Sequence, residues 1–446
     1  MTTPANARHH DVVIVGGGPA ATCTAMFLLQ KGIKPVIVEK EQFPRYHIGE
    51  SFTGETGGQL RKLGMEAILD KFEYPVKLGT KVWGTDGKNS FYIKVRARPN
   101  DGPQVDATTW QARRSDFDKL LMDTARSRGI EVIEGEAVSV LKEGDRVAGI
   151  CCRTRDGSTL ELRSEVLVDA SGQSTFLANK GVIGPKDRGN YDRQVAIFSQ
   201  VVGAIRDEGE KRDDTLIFYK KKNHWAWFIP IDKEVVSIGV VTPSDFFTSR
   251  KMSKLDFLRD EMQTLNPELT WRVKDVKFVE DGRGASNYSY YIEKFTGKGF
   301  LCVGDSHRFI DPIFSLGLLF ATKEAEYSAD AISRYLAGEG REAENPFAAY
   351  ERYADRAQDI IQTMLDCFWE FPLPFQRFAH WTHQEEIIDL FAGRIYGDAV
   401  HEYDSVKRMR RLLDMNGIDR SGVPNRGKPV PPPAVPAGSE GSPAAS

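Results

Sequence analysis

Residues 11–40 read DVVIVGGGPAATCTAMFLLQKGIKPVIVEK. A β-branched run leads into a glycine turn, an apolar helix pattern ends near Gly32, and a second β-branched run closes on Glu39. That order predicts a βαβ unit. Gly16, Gly18 and Ala21 fit the spacing GxGxxG/A directly after the first strand. In such a turn Gly16 allows the tight bend, Gly18 lets backbone approach a pyrophosphate, and Ala21 keeps helix and strand close. The helix start supplies free N–H groups and the positive end of its dipole. About 20 residues on, the carboxylate of Glu39 is positioned to accept ribose hydroxyls, with Lys40 beside it at the strand end. Glycines alone are weak evidence; strand, helix and acidic strand end together predict a dinucleotide site.

Outward from this unit, the 446 residues have a formal net charge of −3, 41% hydrophobic and 28% charged residues. Length suggests two or three domains, and no charge excess points to nucleic acid or a lipid surface. The five cysteines, Cys23, Cys151, Cys152, Cys302 and Cys367, have no paired zinc-type spacing and read as thiols in a reducing compartment. No apolar run approaches the roughly 20 residues that cross a bilayer, and a cytoplasmic protein is expected. His380 and His383 form a lone HxxH without a third ligand, and His9–His10 lie in what reads as a frayed terminus, so no metal site is expected.

The centre of the chain alternates short strand-like runs with turns such as Asp156–Gly157, and from about Gly317 the pattern becomes helical. This predicts an α/β fold: an FAD-binding domain interleaved with a β-sheet substrate region over 1–334, C-terminal helices over 335–420, and a disordered Pro/Gly/Ser-rich tail over 421–446. FAD is favoured over NAD because Val168–Gly172 and Phe300–Asp305 each set an apolar strand before a small acidic turn, where Asp305 can accept hydrogen bonds from a ribityl chain. Arg45 and Arg114 are candidates to face the pyrophosphate. GRGASN, from Gly282, lacks the context of a second dinucleotide motif, so a nicotinamide domain is not expected. The order resembles FAD enzymes of the aromatic hydroxylase fold.

One strand-like run, Trp225-Ala226-Trp227-Phe228-Ile229-Pro230, spends two of seven tryptophans one residue apart. Core thickening would explain that, since alternate strand residues share a face. The run also matches WxWxIP, and two further segments accompany it: Lys77-Leu78-Gly79, and Phe309 to Gly317 in the pattern F-x-x-P-x-x-S-x-G. Together they resemble the flavin-dependent halogenases. The resemblance implies reduced FAD, dioxygen, and chloride or bromide, with hypohalous acid made at the flavin and passed to Lys77. It makes Trp225, Trp227 and Pro230 a wall between flavin and acceptor. It puts Ser51, Asp311, Pro312 and Gly317 at the flavin, Asp311 being the residue that attaches it covalently in one type of member. Ser315, Leu316 and Gly317 become the halide site, since a helix start there offers unpaired N–H groups.

Tryptophan halogenases carry glutamate where Phe314 stands, so the resemblance points to the branch acting on phenols, pyrroles or acyl groups tethered to a carrier protein. A separate NAD(P)H flavin reductase is the implied partner. Three other readings stay open on sequence: an NAD(P)H-dependent FAD hydroxylase, a prenyl-chain reductase on the same nucleotide domain, and a flavin-binding protein without catalysis. His307 and His224 are read as structural rather than reactive.

Overall fold

The computed structural model describes residues 7–189 and 191–418; the tail expected to be disordered, 421–446, lies outside them. The predicted βαβ unit forms from strand Ala7–Val15, helix Pro19–Gln30 and strand Val36–Glu39. The first strand starts earlier than its apolar run: His9 and His10 are paired with Arg163 and Ser164 rather than frayed, because the neighbouring strand extends far enough to hold them.

Strand Ala7–Val15 lies parallel to Val36–Glu39 on one side and to Thr159–Asp169 on the other, with Ile14 opposite both Ile37 and Val168. Strands Glu131–Glu143 and Phe300–Cys302 extend the layer outward, and Arg146–Thr154 joins Glu131–Glu143 to Thr159–Asp169 in antiparallel fashion. The central strands are apolar on both faces because helices cover the sheet, as parallel layers require. Val12, Val13, Ile14, Ile37 and Leu167 are all fully buried.

The second sheet is built mainly from the middle of the chain. Gln194–Val202, Val236–Pro243, His224–Pro230 and Thr215–Lys221 are antiparallel neighbours; Gly79–Trp83 then joins parallel to Thr215–Lys221, and Ser90–Lys94 forms the edge. Period-two alternation divides the tryptophan strand between two cores. Trp225, Trp227 and Ile229 enter the core shared with helices Gly317–Leu336 and Ala348–Glu370, whereas Ala226 and Phe228 pack with Phe257, Leu258 and Met262 of helix Lys254–Thr264. The helical stripe Ile360, Ile361, Met364, Leu365 and Phe368 is core, as its spacing predicts.

Beyond Glu370 the chain turns back through short helix Pro372–Arg377, a π-helical turn Phe378–Thr382 and helix Gln384–Ala392. This cap lies over the sheet edge and is fastened by Asp389, 1% exposed, which accepts from Arg98 Nε at 2.8 and 3.0 Å and from Gln104 Nε2 at 2.8 Å. No helix among the described residues is long and apolar enough to cross a membrane.

Candidate active site

A cleft of about 1110 Å3 runs from the glycine turn to the tryptophan strand. Gly16, at φ +107°, turns under it; a Cβ there would fall onto the Ala170 carbonyl, so no side chain fits. Gly18 caps helix Pro19–Gln30 without any side-chain hydrogen bond, leaving its first N–H groups facing the cleft. Ala21 is fully buried beneath, against the sheet.

The predicted cofactor residues converge here. Glu39, Lys40, Arg45, Ser51, Arg114, Asp305, Asp311, Pro312 and Gly317 all line the cleft. The two arginines are engaged differently. Arg114 spends its fork on Asp118, at 2.7 and 3.0 Å, and donates to the Ile48 carbonyl at 2.8 Å, so it braces the loop 45–50 onto helix Arg114–Ser127. Arg45 is more loosely held, 3.2 Å from Glu41 and 3.6 Å from Asp118, and its Nη2 lies 3.5 Å from where a Gly18 Cβ would stand. Burial pushes the Asp305 carboxyl up to about 7 and that of Asp311 to about 6.

The cleft fits FAD on its own features. Its glycine turn leaves no room for a Cβ, and an acidic strand end stands opposite. At the far end, Trp225 Nε1 and the Tyr288 hydroxyl are buried with no hydrogen-bond partner among the described residues, and both side chains line the cleft. Buried polar groups normally find partners, so a polar-edged ring belongs there.

Trp225, Trp227 and Ile229 wall that end, with ring centroids of the indoles 6.0 Å apart and Phe198 5.8 Å from Trp227. Trp227 is fixed by its Nε1–H donating to Ser237 Oγ at 3.2 Å and by Gly239 across the ladder, where an added Cβ would overlap the indole. Pro230 does not join the wall: it ends the strand in the register of Ala226 and Phe228, which face the opposite core. The alternation of this stretch separates Pro230 from the indoles, contrary to the resemblance.

Lys77 lies outside this cleft. It is 4% exposed and lines a second cavity of about 30 Å3, which shares Ile217, Ile313 and Ser315 with the cleft as common wall. Its Nζ donates to Ser51 Oγ at 3.0 Å and to the Phe52 carbonyl at 3.1 Å. Ser51 in turn meets Thr215 Oγ1 at 2.8 Å, and Thr215 donates to Gln111 Oε1 at 2.8 Å. The following backbone is clamped by Asp214, whose Oδ1 accepts from the N–H groups of Leu78 and Gly79 at 2.7 and 2.8 Å while Oδ2 accepts from the Tyr92 hydroxyl at 2.7 Å. Desolvation lowers the Lys77 amine to about 8, partly opposed by Asp214.

Phe314 completes the lysine cavity with Phe391, ring centroids 4.7 Å apart, and packs on Phe368 at 5.4 Å. Next to it, Pro312–Phe314 makes one 3-10 turn, Ser315 reverses the chain at φ +57°, and helix Gly317–Leu336 starts two residues later than Ser315, with Leu316 as an N-cap that makes no side-chain hydrogen bond. Ser315, Leu316 and Gly317 therefore present a helix start to the cleft, and Ser315 lines both cavities.

Thr215, Gln111, Asp214, Ile217 and Phe391 also serve the lysine site but carry no local signal in the sequence. Glu50, which belongs to no motif, is a buried cleft carboxyl pushed by desolvation to about 7. The two histidines read as structural are so engaged: His307 Nε2 is 2.9 Å from Glu324 and its ring stacks on Phe295, and His224 Nε2 is 2.7 Å from Glu261. All five cysteines are free, and no His, Cys, Asp and Glu cluster suited to a metal occurs among the described residues.

Comparison with known proteins fits this geometry. The model of the FAD binding domain family matches residues 9–367. A 1H-pyrrole-2-carbonyl-[peptidyl-carrier protein] brominase of Pseudoalteromonas luteoviolacea is 36% identical over 409 residues, covering 89% of this chain and 98% of that one. The chain belongs to the flavin-dependent halogenases. A 1H-pyrrole-2-carbonyl-[peptidyl-carrier protein] chlorinase of Pseudomonas fluorescens is 29% identical over 91% of this chain and 93% of its own. The solved structure of the flavin-dependent brominase Bmp2 superposes with a TM-score of 0.85 at 36% identity, covering 92% of this chain and 99% of that one. Membership selects the halogenase over the hydroxylase and prenyl-reductase readings, and brings FAD, dioxygen and halide with it.

Proposed function

We propose that this halogenase delivers its oxidised halogen from the flavin cleft to the Lys77 amine, and that its acceptor is an electron-rich acyl ring, such as pyrrolyl, tethered to a peptidyl carrier protein. The observation that carries the first half is the burial of Lys77 in its own small cavity, joined to the cleft through Ser51, Ile217, Ile313 and Ser315. A cavity of about 30 Å3 has room for roughly two water-sized molecules, not an aromatic ring.

Reduced FAD with dioxygen supplies the two-electron oxidation that converts halide to an electrophile. The protein does the rest. N–H groups at Leu316 and Gly317, at an uncapped helix start, attract halide without a dedicated cation. The indoles of Trp225 and Trp227 fill the space in which an acceptor ring would otherwise meet the flavin and be hydroxylated. Asp214 and Ser51 hold the lysine segment and its amine. With its amine near 8, Lys77 is mostly ammonium at pH 7 and can orient hypohalous acid by hydrogen bonding, while a minority neutral form is nucleophilic.

The second half rests on the names of two relatives and on Phe314, Phe391 and Phe368, which make the lysine surroundings apolar where tryptophan halogenases have a carboxylate. Reduced FAD from a separate NAD(P)H flavin reductase belongs to the same proposal. The test is product formation from carrier-loaded pyrrole with chloride or bromide, read by mass spectrometry. Lys77→Ala is expected to abolish halogenated product while reduced FAD is still oxidised by dioxygen; a variant that halogenates normally would remove Lys77 from the pathway.

A further inference from the structure

The cap that closes the lysine cavity has two opposite faces. Its inner face is aromatic: Phe391 lines the lysine cavity, and Phe375 lies 6.4 Å from Phe391 and 5.4 Å from Phe368 between ring centroids. Its outer face carries Leu373 at 77% and Trp381 at 76% exposure, the two most exposed large apolar side chains among the described residues. Large side chains left this open on one short segment mark an interaction surface rather than scatter. Tryptophan is also the residue most enriched among binding hot spots.

Charge around these residues limits what they can meet. Arg377 stands on the same segment, exposed and without an ion pair among the described residues, and Lys221 is likewise exposed and unpaired among them at the end of strand Thr215–Lys221. Lys221 lies beside the root of the cap, because its neighbour Lys222 holds Glu370 at 2.7 Å and Tyr219 stacks on Trp369 at 6.1 Å between centroids. Of the nearby carboxylates, Glu370 is paired with Lys222 at 2.7 Å, Glu386 accepts from the N–H groups of Asp404 and Ser405, and Glu385 meets Arg98 at 3.5 Å while staying 78% exposed, so the rim keeps two cations against one open carboxylate. Two apolar knobs with a cationic rim complement an acidic partner with an apolar spot.

We infer that Leu373 and Trp381, flanked by Arg377 and Lys221, form the docking surface for the acidic carrier domain that delivers the acyl acceptor. The inference rests on the carrier reading above. It adds where the carrier binds and why there: the surface is the outside of the element whose inside, at Phe391 and Ala392, walls the lysine cavity, so a tethered ring arrives beside that wall. The lysine cavity cannot hold that ring as it stands, and docking on the lid puts the binding energy of the carrier on the element that has to give.

The experiment uses the full-length enzyme, a peptidyl carrier loaded with pyrrole-2-carbonyl, and the same acyl group as a small N-acetylcysteamine thioester. Binding of fluorescently labelled loaded carrier is followed by anisotropy, and halogenation of both substrates is followed by mass spectrometry. Trp381→Glu and Leu373→Glu are each expected to weaken carrier binding and raise KM for the carrier-loaded substrate tenfold or more. Melting temperature should stay unchanged, and so should the slow turnover of the small thioester, which has no carrier to help open the cap. Arg377→Glu is expected to weaken binding and flatten its dependence on salt. Wild-type affinity for carrier in the Trp381→Glu and Leu373→Glu enzymes would overturn the docking site while leaving the carrier reading intact. A wild-type enzyme that neither binds nor halogenates loaded carrier, yet halogenates free phenols, would overturn the carrier reading, and the docking site with it.

Discussion

Lys77 Nζ and Ser51 Oγ lie 3.0 Å apart, and of these two residues only Ser51 borders the flavin cleft. The hydroxyl is thus a shared boundary post: it accepts from the amine, exchanges a hydrogen bond with Thr215, and stands on the cleft wall. Removing it leaves the ammonium with the Phe52 carbonyl alone. A hydrogen bond to a charged group contributes about 1.5–3 kcal/mol. Ser51→Ala should therefore cut halogenated product per reduced FAD consumed by about tenfold or more, converting that kcal/mol range at 1.4 per decade. Oxidation of the flavin by dioxygen should proceed at its usual rate. Unchanged coupling of flavin oxidation to halogenation would show that the amine needs no support from this side.

Burial of the amine predicts a stability signature separate from activity. Its folded value near 8 lies below the ordinary 10.5 of an unfolded chain. Below pH 8 both states are protonated, and the folded state bears the cost of a desolvated charge, about 3 kcal/mol from the difference in proton affinity. Between pH 8 and 10.5 the folded protein has released this proton and the unfolded chain has not, so the cost falls as pH rises. Lys77→Met, which keeps volume and drops charge, should raise Tm at pH 7 and do so less at pH 10, while abolishing product. Equal shifts at both pH values would contradict the lowered amine.

How much of this was legible in the chain depends on the distance over which each residue acts. Gly16, Gly18 and Glu39 declare themselves because turn, helix start and strand end follow one another within 24 residues. The indole pair is legible through period two, and the same rule, applied one residue further, separates Pro230 from it. Arg114 is a correction: the sequence places it facing the pyrophosphate, whereas its fork is held by Asp118, four residues along the same helix. The support of Lys77 was not legible. Ser51 meets Thr215 across 164 positions, Thr215 meets Gln111 across 104, and Asp214 reaches Leu78 across 136. The pairing of Gly79–Trp83 with Thr215–Lys221 and the bridge between Ser51 and Gln111 bring these together, and no local pattern encodes either.

The indole wall has its own dependency on a residue outside any motif. Gly239 faces Trp227 across the antiparallel ladder, and an added Cβ would overlap the indole. Gly239→Ala should tip Trp227 toward the cleft, strain its hydrogen bond to Ser237, and lower both Tm and affinity for FAD. Overpacking of this kind costs typically about 1–3 kcal/mol. Thermal denaturation and flavin titration of the same variant check it. A Gly239→Ala enzyme that binds FAD normally would mean the indole has another place to go.

Enlarging the lysine cavity tests why it is closed. Phe391 is half-buried, packs edge-on to Phe314 at 4.7 Å, and belongs to helix Gln384–Ala392 rather than to the flavin-binding body. Phe391→Ala removes one wall of a space too small for a ring, while Asp389 still pins the helix to Arg98. The stability cost should fall below the roughly 3–5 kcal/mol of a fully buried Phe→Ala change, since part of the ring already faces solvent. Untethered pyrroles and phenols should then be halogenated several-fold faster, as a ring that cannot open the cap for itself finds room beside Lys77. The cavity also gains water, so free hypohalous acid should leak, and a scavenger such as monochlorodimedone in the medium should capture more of it than with the wild-type enzyme. If neither untethered turnover nor leakage increases, Phe391 is packing for the cap and does not set access to the amine.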